Sequence, residues 1–302
     1  MGWKSFLAAL VAVFLVALLF FYWVFPFETI DFTFSPKNYN FSLNATSADM
    51  QFYPNLRYSS KEISYKIEDC NLKKTDEMQR SFDIIESLTV LDFYSVDSDE
   101  EISITCDEKA RFDGELFIAG EGGPINITKT ENFNVIHKGA ITLIRESKCE
   151  NPNVGIHELL HALGFAHSEN SNNIMYPVSK CSQTIGEDIP ATINSLYSFP
   201  SLPDITFENV SATMSGRYLD LTFVIRNQGL ADSEKGTVEI YADGKTIKEI
   251  EFDPVAIGYG RIITLTNIFI FQKRINELRF LIKTDFEELE KGNNEAILRY
   301  NN

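Results

Sequence analysis

The chain has 302 residues, enough for one large domain or two medium ones, each with its own core. Hydrophobic residues at 44% and aromatics at 13% place it among folded proteins, and no Gly/Ser tract, heptad run or fixed-period repeat interrupts it. With 43 acidic against 27 basic residues the net charge is −16, a field that repels polyanions, excludes nucleic acid as a natural partner and otherwise reads as solubility.

After Lys4 an uncharged run extends from Ser5 to Phe25, apolar from Phe6 onward. As a helix it is about 31 Å long, the thickness of a bilayer core. Trp3 at one end and Tyr22 and Trp23 at the other suit the two interfacial belts, and Pro26 ends the run. A cleaved signal peptide has a shorter apolar region leading into a small-x-small site, whereas WVFPFETI follows here, so the expectation is an uncleaved single-pass anchor. Lys4 and the terminal amine against Glu28 and Asp31, with Lys37 opposing, put the N-terminus inside and the bulk of the chain outside. Four cysteines and four sequons (Asn40, Asn44, Asn126, Asn209) suit the outer side.

Residues 26–54 mix Pro, Asn, Ser and aromatics without periodicity and read as a stalk with room for one strand. Ile63 to Ile67 alternates as a strand, and Thr75 to Leu88 carries Met78, Phe82, Ile85 and Leu88 at helical spacing, with Thr75 and Asp76 suited to its start. Strand-like runs follow at Val90–Tyr94, Ile102–Cys106, Leu116–Ala119, Ile125–Thr128 and Ile136–Ile144. A helix followed by antiparallel hairpins predicts an α+β domain. NPNVGIHELLHALGF then reads as a helix with Asn151 as N-cap and Pro152 at its first position, and Ala191–Tyr197 as a closing helix. The prolines of SFPSLPD mark a boundary near 202.

From 203 onward the texture is short β segments between turns: Ile205–Thr213, Tyr218–Arg226, Val238–Tyr241, Asp243-Gly244, Ile247–Phe252, Arg261–Phe271 and Leu278–Lys283. This predicts an all-β immunoglobulin-like sandwich. The segments NQG at 227–229, ADGK at 242–245 and EKGNNEA at 290–296 resemble the CARDB type of cell-adhesion-related β-sandwich over most of 203–302.

The chemistry concentrates in residues 157–167, HELLHALGFAH. His157 and His161, four apart, project from one helix face and can reach one metal ion. Gly164 lets the chain leave the helix with positive φ, and His167 can swing back as third ligand, leaving a fourth position open as in a catalytic zinc site. Glu158 stands beside the first ligand, where it can take a proton from a zinc-bound water whose pKa falls to about 7 and return it to the departing amine. A packed core has no use for the adjacent Glu and the third His, and a purely structural metal has none for Glu158. Three neutral imidazoles without a carboxylate suit zinc better than iron. The remaining histidine, His137, reads as a surface or packing residue.

Met175 in NIMYP, eight residues beyond His167, completes a pattern that resembles the metzincin clan, where a methionine turn floors the zinc histidines. Ser168, MetTyrPro at 175–177 and GEDIPATINSLY with Asp188 and Tyr197 are similar to the matrixins within that clan. The likeness is tight over 149–198 and holds in element order from about 55. It implies a substrate cleft between an edge strand near 115–127 and a wall that begins with Tyr176 and Pro177, with peptide held extended by main-chain hydrogen bonds. The chain departs from the family in three ways: no propeptide cysteine precedes the catalytic segment, Ser179 replaces an aromatic, and no histidine-rich structural zinc site is present. Exposed carboxylates are plentiful but no dedicated calcium loop appears. Of three possible cysteine pairings, Cys149–Cys181 with Cys70–Cys106 keeps each bridge between neighbouring elements.

The expectation is a tip at 1–4, an anchor at 5–25, a stalk at 26–54, an α+β metzincin-like zinc peptidase at 55–202 and a β-sandwich at 203–302. A different class of reading is a surface adhesion protein carrying a vestigial peptidase scaffold. Peptide or protein substrate, the membrane and a surface partner of the sandwich are the expected partners.

Overall fold

In the computed structural model, which describes residues 2–24, 29–35, 50–109, 111–114, 116–272 and 274–300, the apolar N-terminal run is one helix, α1 (Trp3–Val24). It is long and apolar enough to cross a membrane, a test that a signal sequence also passes. Sequons Asn40 and Asn44 lie outside the described residues, while Asn126 and Asn209 are exposed. The chain splits into two compact units, one of Phe41–Pro203 with Gln228–Asp232 and one of Met1–Asn40, Asp204–Asn227 and Ser233–Asn302.

The first unit has a sheet of β2 (Leu56–Tyr58), β3 (Glu62–Ile67), β4 (Asp92–Ser95), β5 (Ile102–Cys106), β8 (Gly120–Lys129) and β9 (Asn134–Leu143), in the order β2-β9-β5-β3-β4 with β8 also paired to β9. A two-residue-linked pair, β6 (Arg111–Asp113) and β7 (Leu116–Ile118), stands apart from it. Of the antiparallel hairpins expected after the first helix, β6–β7 and β8–β9 form, but the rest of the sheet is parallel. β2/β9, β3/β4, β3/β5 and β5/β9 are all parallel, and only β8 runs antiparallel. The reason lies in α2 (Leu72–Leu88), which turns β3–α2–β4 into a crossover and so forces β3 and β4 parallel. Tyr65 then pairs with Ser95 on one side and Ile102 on the other, so β5 continues where β4 stops instead of turning back.

The start of α2 also differs from expectation. Asn71, not Thr75 or Asp76, caps it, its side chain accepting from the Lys73 and Lys74 amides. Apolar spacing begins only at Met78, so periodicity misses the polar first turn. Met78, Phe82 and Ile85 of α2 join Ile63, Ile102, Ile104, Ile136, Ile141 and Leu143 of the sheet in a buried core that also takes in Ile156, Leu159 and Leu160 of α3 (Asn153–Ala162) and Ile189 and Ile193 of α4 (Asp188–Leu196). Two disulfides, Cys70–Cys106 and Cys149–Cys181, complete the unit.

The second unit is one all-antiparallel sheet path, β13-β12-β15-β16-β1-β10-β11-β14. Its strands are β1 (Thr29–Ser35), β10 (Ile205–Ser215), β11 (Tyr218–Asn227), β12 (Gly236–Ala242), β13 (Lys245–Phe252), β14 (Gly260–Phe269), β15 (Glu277–Thr284) and β16 (Glu295–Tyr300). Asp243 and Gly244, both at positive φ, make the turn between β12 and β13. Phe280 of β15 meets Phe207 of β10 and Phe223 of β11 at ring distances of 6.1 and 5.5 Å, so the two halves of the path share one core.

Both described ends of the segment read as a stalk belong to folded units. β1 pairs with β10 through Thr29–Phe32 and with β16 through Phe32–Ser35, bridging the two halves of the path. A lone strand is marginal in water, so its edges are satisfied by pairing. Residues 50–52 lie in the first unit, where the Phe52 amide donates to Gly164 O and Met50 O accepts from Ala166 N.

Candidate active site

The helix α3 begins at Asn153 with Pro152 in the capping position, one residue later than expected. No side chain of its own caps it. Instead Glu77 of α2 reaches across, its carboxylate accepting from Gly155 N at 3.2 Å and from Ser147 N at 3.0 Å. Glu77 is 6% exposed, and burial pushes its pKa up against the opposing pull of these two amides. Gly155 allows this approach, since a Cβ there would fall 2.4 Å from Ser81 Oγ and 3.3 Å from Glu77 Cγ.

At its other end α3 closes with a glycine-dependent cap. Gly164 has φ +99°, its amide donates to His161 O and the Phe165 amide donates to Leu160 O, the paired bonds of a Schellman motif. The reversal returns Phe165 O to within 2.7 Å of His161 Nδ1. His157 Nδ1 is 2.7 Å from Ile174 O, in the turn that leads into Met175. A carbonyl can only accept, so both Nδ1 atoms carry the proton and both Nε2 atoms are bare lone pairs. Met175 is fully buried, its amide donates to Asn173 Oδ1, and its carbonyl accepts from Ser168 N, tying the methionine turn to the residue after His167.

The three imidazoles converge. Ring centroids are 4.6 Å apart for His157–His161, 4.6 Å for His161–His167 and 5.3 Å for His157–His167, and their ligating nitrogens all lie within 4.8 Å of one another. His161 Nε2 is 3.1 Å from His167 Nε2. Burial lowers the pKa of all three, that of His161 to about 4 with His157 adding to the effect, so the rings are neutral at pH 7. Neutral imidazoles with convergent lone pairs and tautomers set by backbone carbonyls are the donor set that zinc takes.

Glu158 is 5% exposed, and burial first, Glu121 second, push its carboxyl up to about 8. It lies under the edge strand β8. A Cβ at Gly120 would fall 2.6 Å from Glu158 Cγ, and one at Gly122 only 2.3 Å from Glu158 O, so two glycines let strand and helix touch. A cleft of about 580 Å³ is lined by β8 through Gly120, Glu121 and Gly122, by the three histidines and Glu158, and by Pro177, Val178 and Ser179 opposite. Tyr176 is half-buried just before this wall and does not line the cleft. The edge strand expected near 115–127 is β8, residues 120–129.

Residues 55–198 match the matrixin family of peptidases, and residues 202–297 match CARDB. The first segment is a matrixin domain. A CARDB domain follows it. In a matrixin domain this histidine triad implies a zinc metalloendopeptidase with a catalytic Zn2+ and peptide substrates. No curated protein matches the chain. Among solved structures it is similar to the CARDB domain of a Pyrococcus furiosus protein crystallised in complex with di-metal ions, at 14% identity, 33% of this chain and 88% of that chain covered, and TM-score 0.28. A solution NMR structure of that CARDB domain gives 15% identity, 33% and 94% coverage, and TM-score 0.29. The N-terminal apolar helix and the two disulfides point to the secretory route.

The matrixin site was largely marked by its motif, whereas its supports were not. Glu77 carries no local signal. The glycines of GEGG at 120–123 were readable as a close backbone approach, because glycine inside a strand pattern often marks one. His137, half-buried on β9 with Nε2 2.9 Å from Thr128 Oγ1, stands outside the triad.

Proposed function

We propose that this chain is a membrane-anchored zinc endopeptidase whose matrixin domain, residues 55–202, faces outward and whose anchor segment, residues 5–25, is retained. In this reading His157, His161 and His167 hold the ion, Glu158 is the general base, Met175 floors the site, and Pro177 with Tyr176 behind it forms the wall of the substrate cleft. The CARDB segment, 203–302, is an immunoglobulin-like sandwich that takes β1 as an additional strand and serves as spacer or partner-binding module. The observation that carries the reading is the convergence of three neutral imidazoles beside a buried carboxylate in an open cleft.

Zinc, when bound, acts as a Lewis acid on the scissile carbonyl and makes water acidic enough to be a nucleophile near neutral pH. The protein supplies the rest. Glu158, held under Gly120, accepts the proton of the attacking water and delivers it to the amine nitrogen as the C–N bond breaks. The outer edge of β8 offers unpaired backbone groups to an extended peptide, and β8 already pairs with β9 on its inner side. Water is held out from one flank by the stack of Phe52 on His161, rings 5.7 Å apart.

The test is Glu158→Ala and Glu158→Gln in the full chain. Both are expected to retain about one zinc by metal analysis while cleavage of a mixed peptide library falls by roughly 10²- to 10⁴-fold. Zinc bound at full occupancy with no chelator-sensitive cleavage by the unmodified chain would favour the adhesion protein with a vestigial scaffold.

A further inference from the structure

The second unit carries an aromatic cluster that neither the peptidase chemistry nor its own core uses. Phe271 is 83% exposed and Phe269 44%, their rings 5.4 Å apart, and Tyr218 packs against Phe269 at 5.7 Å. Between the two phenylalanines Ile270 is buried, its amide donating to Arg217 O, so the alternation of the strand turns both rings outward. Arg274 nearby is exposed and has no ion-pair partner among the described residues, in a chain of net charge −16. Lys273 precedes it in sequence.

The register says where this cluster sits relative to the point at which α1 joins the sheet. Thr29 pairs with Ser215, Ser215 with Tyr218, and Tyr218 with Phe269, so the four residues form one row across β1, β10, β11 and β14 at the same end of the strands. Neighbouring strands are about 4.8 Å apart, which puts Phe269 on the order of 14 Å along the row from Thr29. From Val24, the last residue of α1, to Thr29 is five Cα steps, at most about 19 Å of chain. Phe25, Pro26, Phe27 and Glu28 occupy that interval, three apolar residues that favour the lipid boundary followed by one acid on its aqueous side.

We propose that the end of the CARDB sheet bearing Phe269 and Phe271 rests in the bilayer interface beside α1, with Arg274 at headgroup level. This rests on the reading of α1 as a retained anchor. The lipid surface is the occupant because the tether brings this row to the membrane, and because aromatic rings flanked by a free cation match the composition of an interfacial belt. Tyr259 and Ile262 are also exposed, at 68% and 74%, but lie at the opposite end of β14, where Gly260 pairs with Arg226. They serve as an internal control.

The experiment uses the full chain reconstituted in phosphatidylcholine vesicles, with acyl chains brominated or not. The chain's two tryptophans, Trp3 and Trp23, are replaced by Phe, and a single probe is introduced as Phe271→Trp or, for the control, Tyr259→Trp. The expected result is at least a twofold quenching of the 271 probe by brominated lipid with blue-shifted emission, and none of the 259 probe, with peptide cleavage unchanged in both. Equal, unquenched emission from the two probes, while Trp3 and Trp23 of the unmodified chain are quenched and the protein resists carbonate extraction, overturns the proposal and leaves the anchor standing. Release by carbonate overturns the anchor and the proposal with it. A blue-shifted but unquenched 271 probe whose shift depends on protein concentration assigns the cluster to a second copy and overturns the lipid assignment.

Discussion

Glu77 does not line the cleft, yet it holds the amide end of the helix that presents His157 and Glu158, and replacing it tests how far the site depends on α2. Glu77→Ala leaves the Ser147 and Gly155 amides without their carboxylate acceptor, at a position where Glu77 itself is 6% exposed. A buried unsatisfied donor costs about 1–3 kcal/mol, so two bring the loss to roughly 2–6 kcal/mol. For a unit of this size each kcal/mol moves Tm by about 2–4 °C, which predicts a fall of about 4–24 °C. Glu77→Gln keeps one acceptor oxygen and turns an NH2 toward the other amide, and is expected to lose about half as much. The assay is thermal unfolding of the zinc-loaded chain followed by near-ultraviolet dichroism, with Glu146→Ala as control. Glu146 is exposed and meets Lys73 at 3.3 Å and Asn71 Nδ2 at 3.5 Å, surface contacts worth at most about 1 kcal/mol. Should Glu77→Ala unfold within 1 °C of that control, the capping argument is wrong.

Because burial holds the Glu77 pKa above its unfolded value, its contribution is fully present below about pH 4.5 and is lost as pH rises through the raised folded value. The stability difference between the unmodified chain and Glu77→Gln, both kept in chelator, should therefore shrink from pH 4 toward pH 7, and a constant difference would contradict the shift. Gly122→Ala puts a methyl 2.3 Å from Glu158 O, so β8 must move by about 1 Å, and kcat/KM is expected to drop on the order of 10²-fold with zinc content unchanged. Serine at both Cys149 and Cys181 opens a loop of 32 residues' separation and should cost ~3 to 4 kcal/mol by urea unfolding under oxidising conditions, with no such loss if both proteins are first reduced. Chelator should abolish cleavage and lower the first unfolding transition, and zinc at 100 times its Kd should restore about 2.7 kcal/mol.

The legible parts of this chain are those whose cause is local. The spacing of His157 and His161, the positive φ of Gly164 and the turn at Asp243-Gly244 follow from helix period and glycine sterics within a few residues. The alternation of Tyr218 to Arg226 likewise marks β11 because one face is buried. What stayed hidden was pairing. Nothing in residues 92–106 says that β4 and β5 flank β3 in parallel, since that depends on α2 lying between β3 and β4. The placement of Thr29–Ser35 between β10 and β16 joins residues about 180 and 265 positions apart, as in Asp31↔Thr213 and Phe32↔Tyr300, and no periodicity carries such information. The wall was expected through family likeness alone, and of its two residues Pro177 lines the cleft, with Val178 and Ser179, while Tyr176 lies just before them.

The site is also expensive to build, which bears on whether the scaffold is vestigial. Glu158 at 5% exposure, His157 at 8% and His161 at 7% are polar groups withdrawn from water, and two of the rings present bare Nε2 atoms to the same small space. Burial drives the carboxyl toward its neutral form and holds the rings neutral, so each group lowers stability by desolvation that hydrogen bonds to Ile174 and Phe165 only partly offset. Apolar residues of similar volume would pack the same space with less penalty. A divalent ion reverses the balance, because the imidazoles become ligands and the carboxylate regains a positive neighbour. In the proposed reading the four side chains act as one metal-binding and proton-transferring set, and the scaffold from Gly164 to the Met175 turn orients two of their rings through the Phe165 and Ile174 carbonyls.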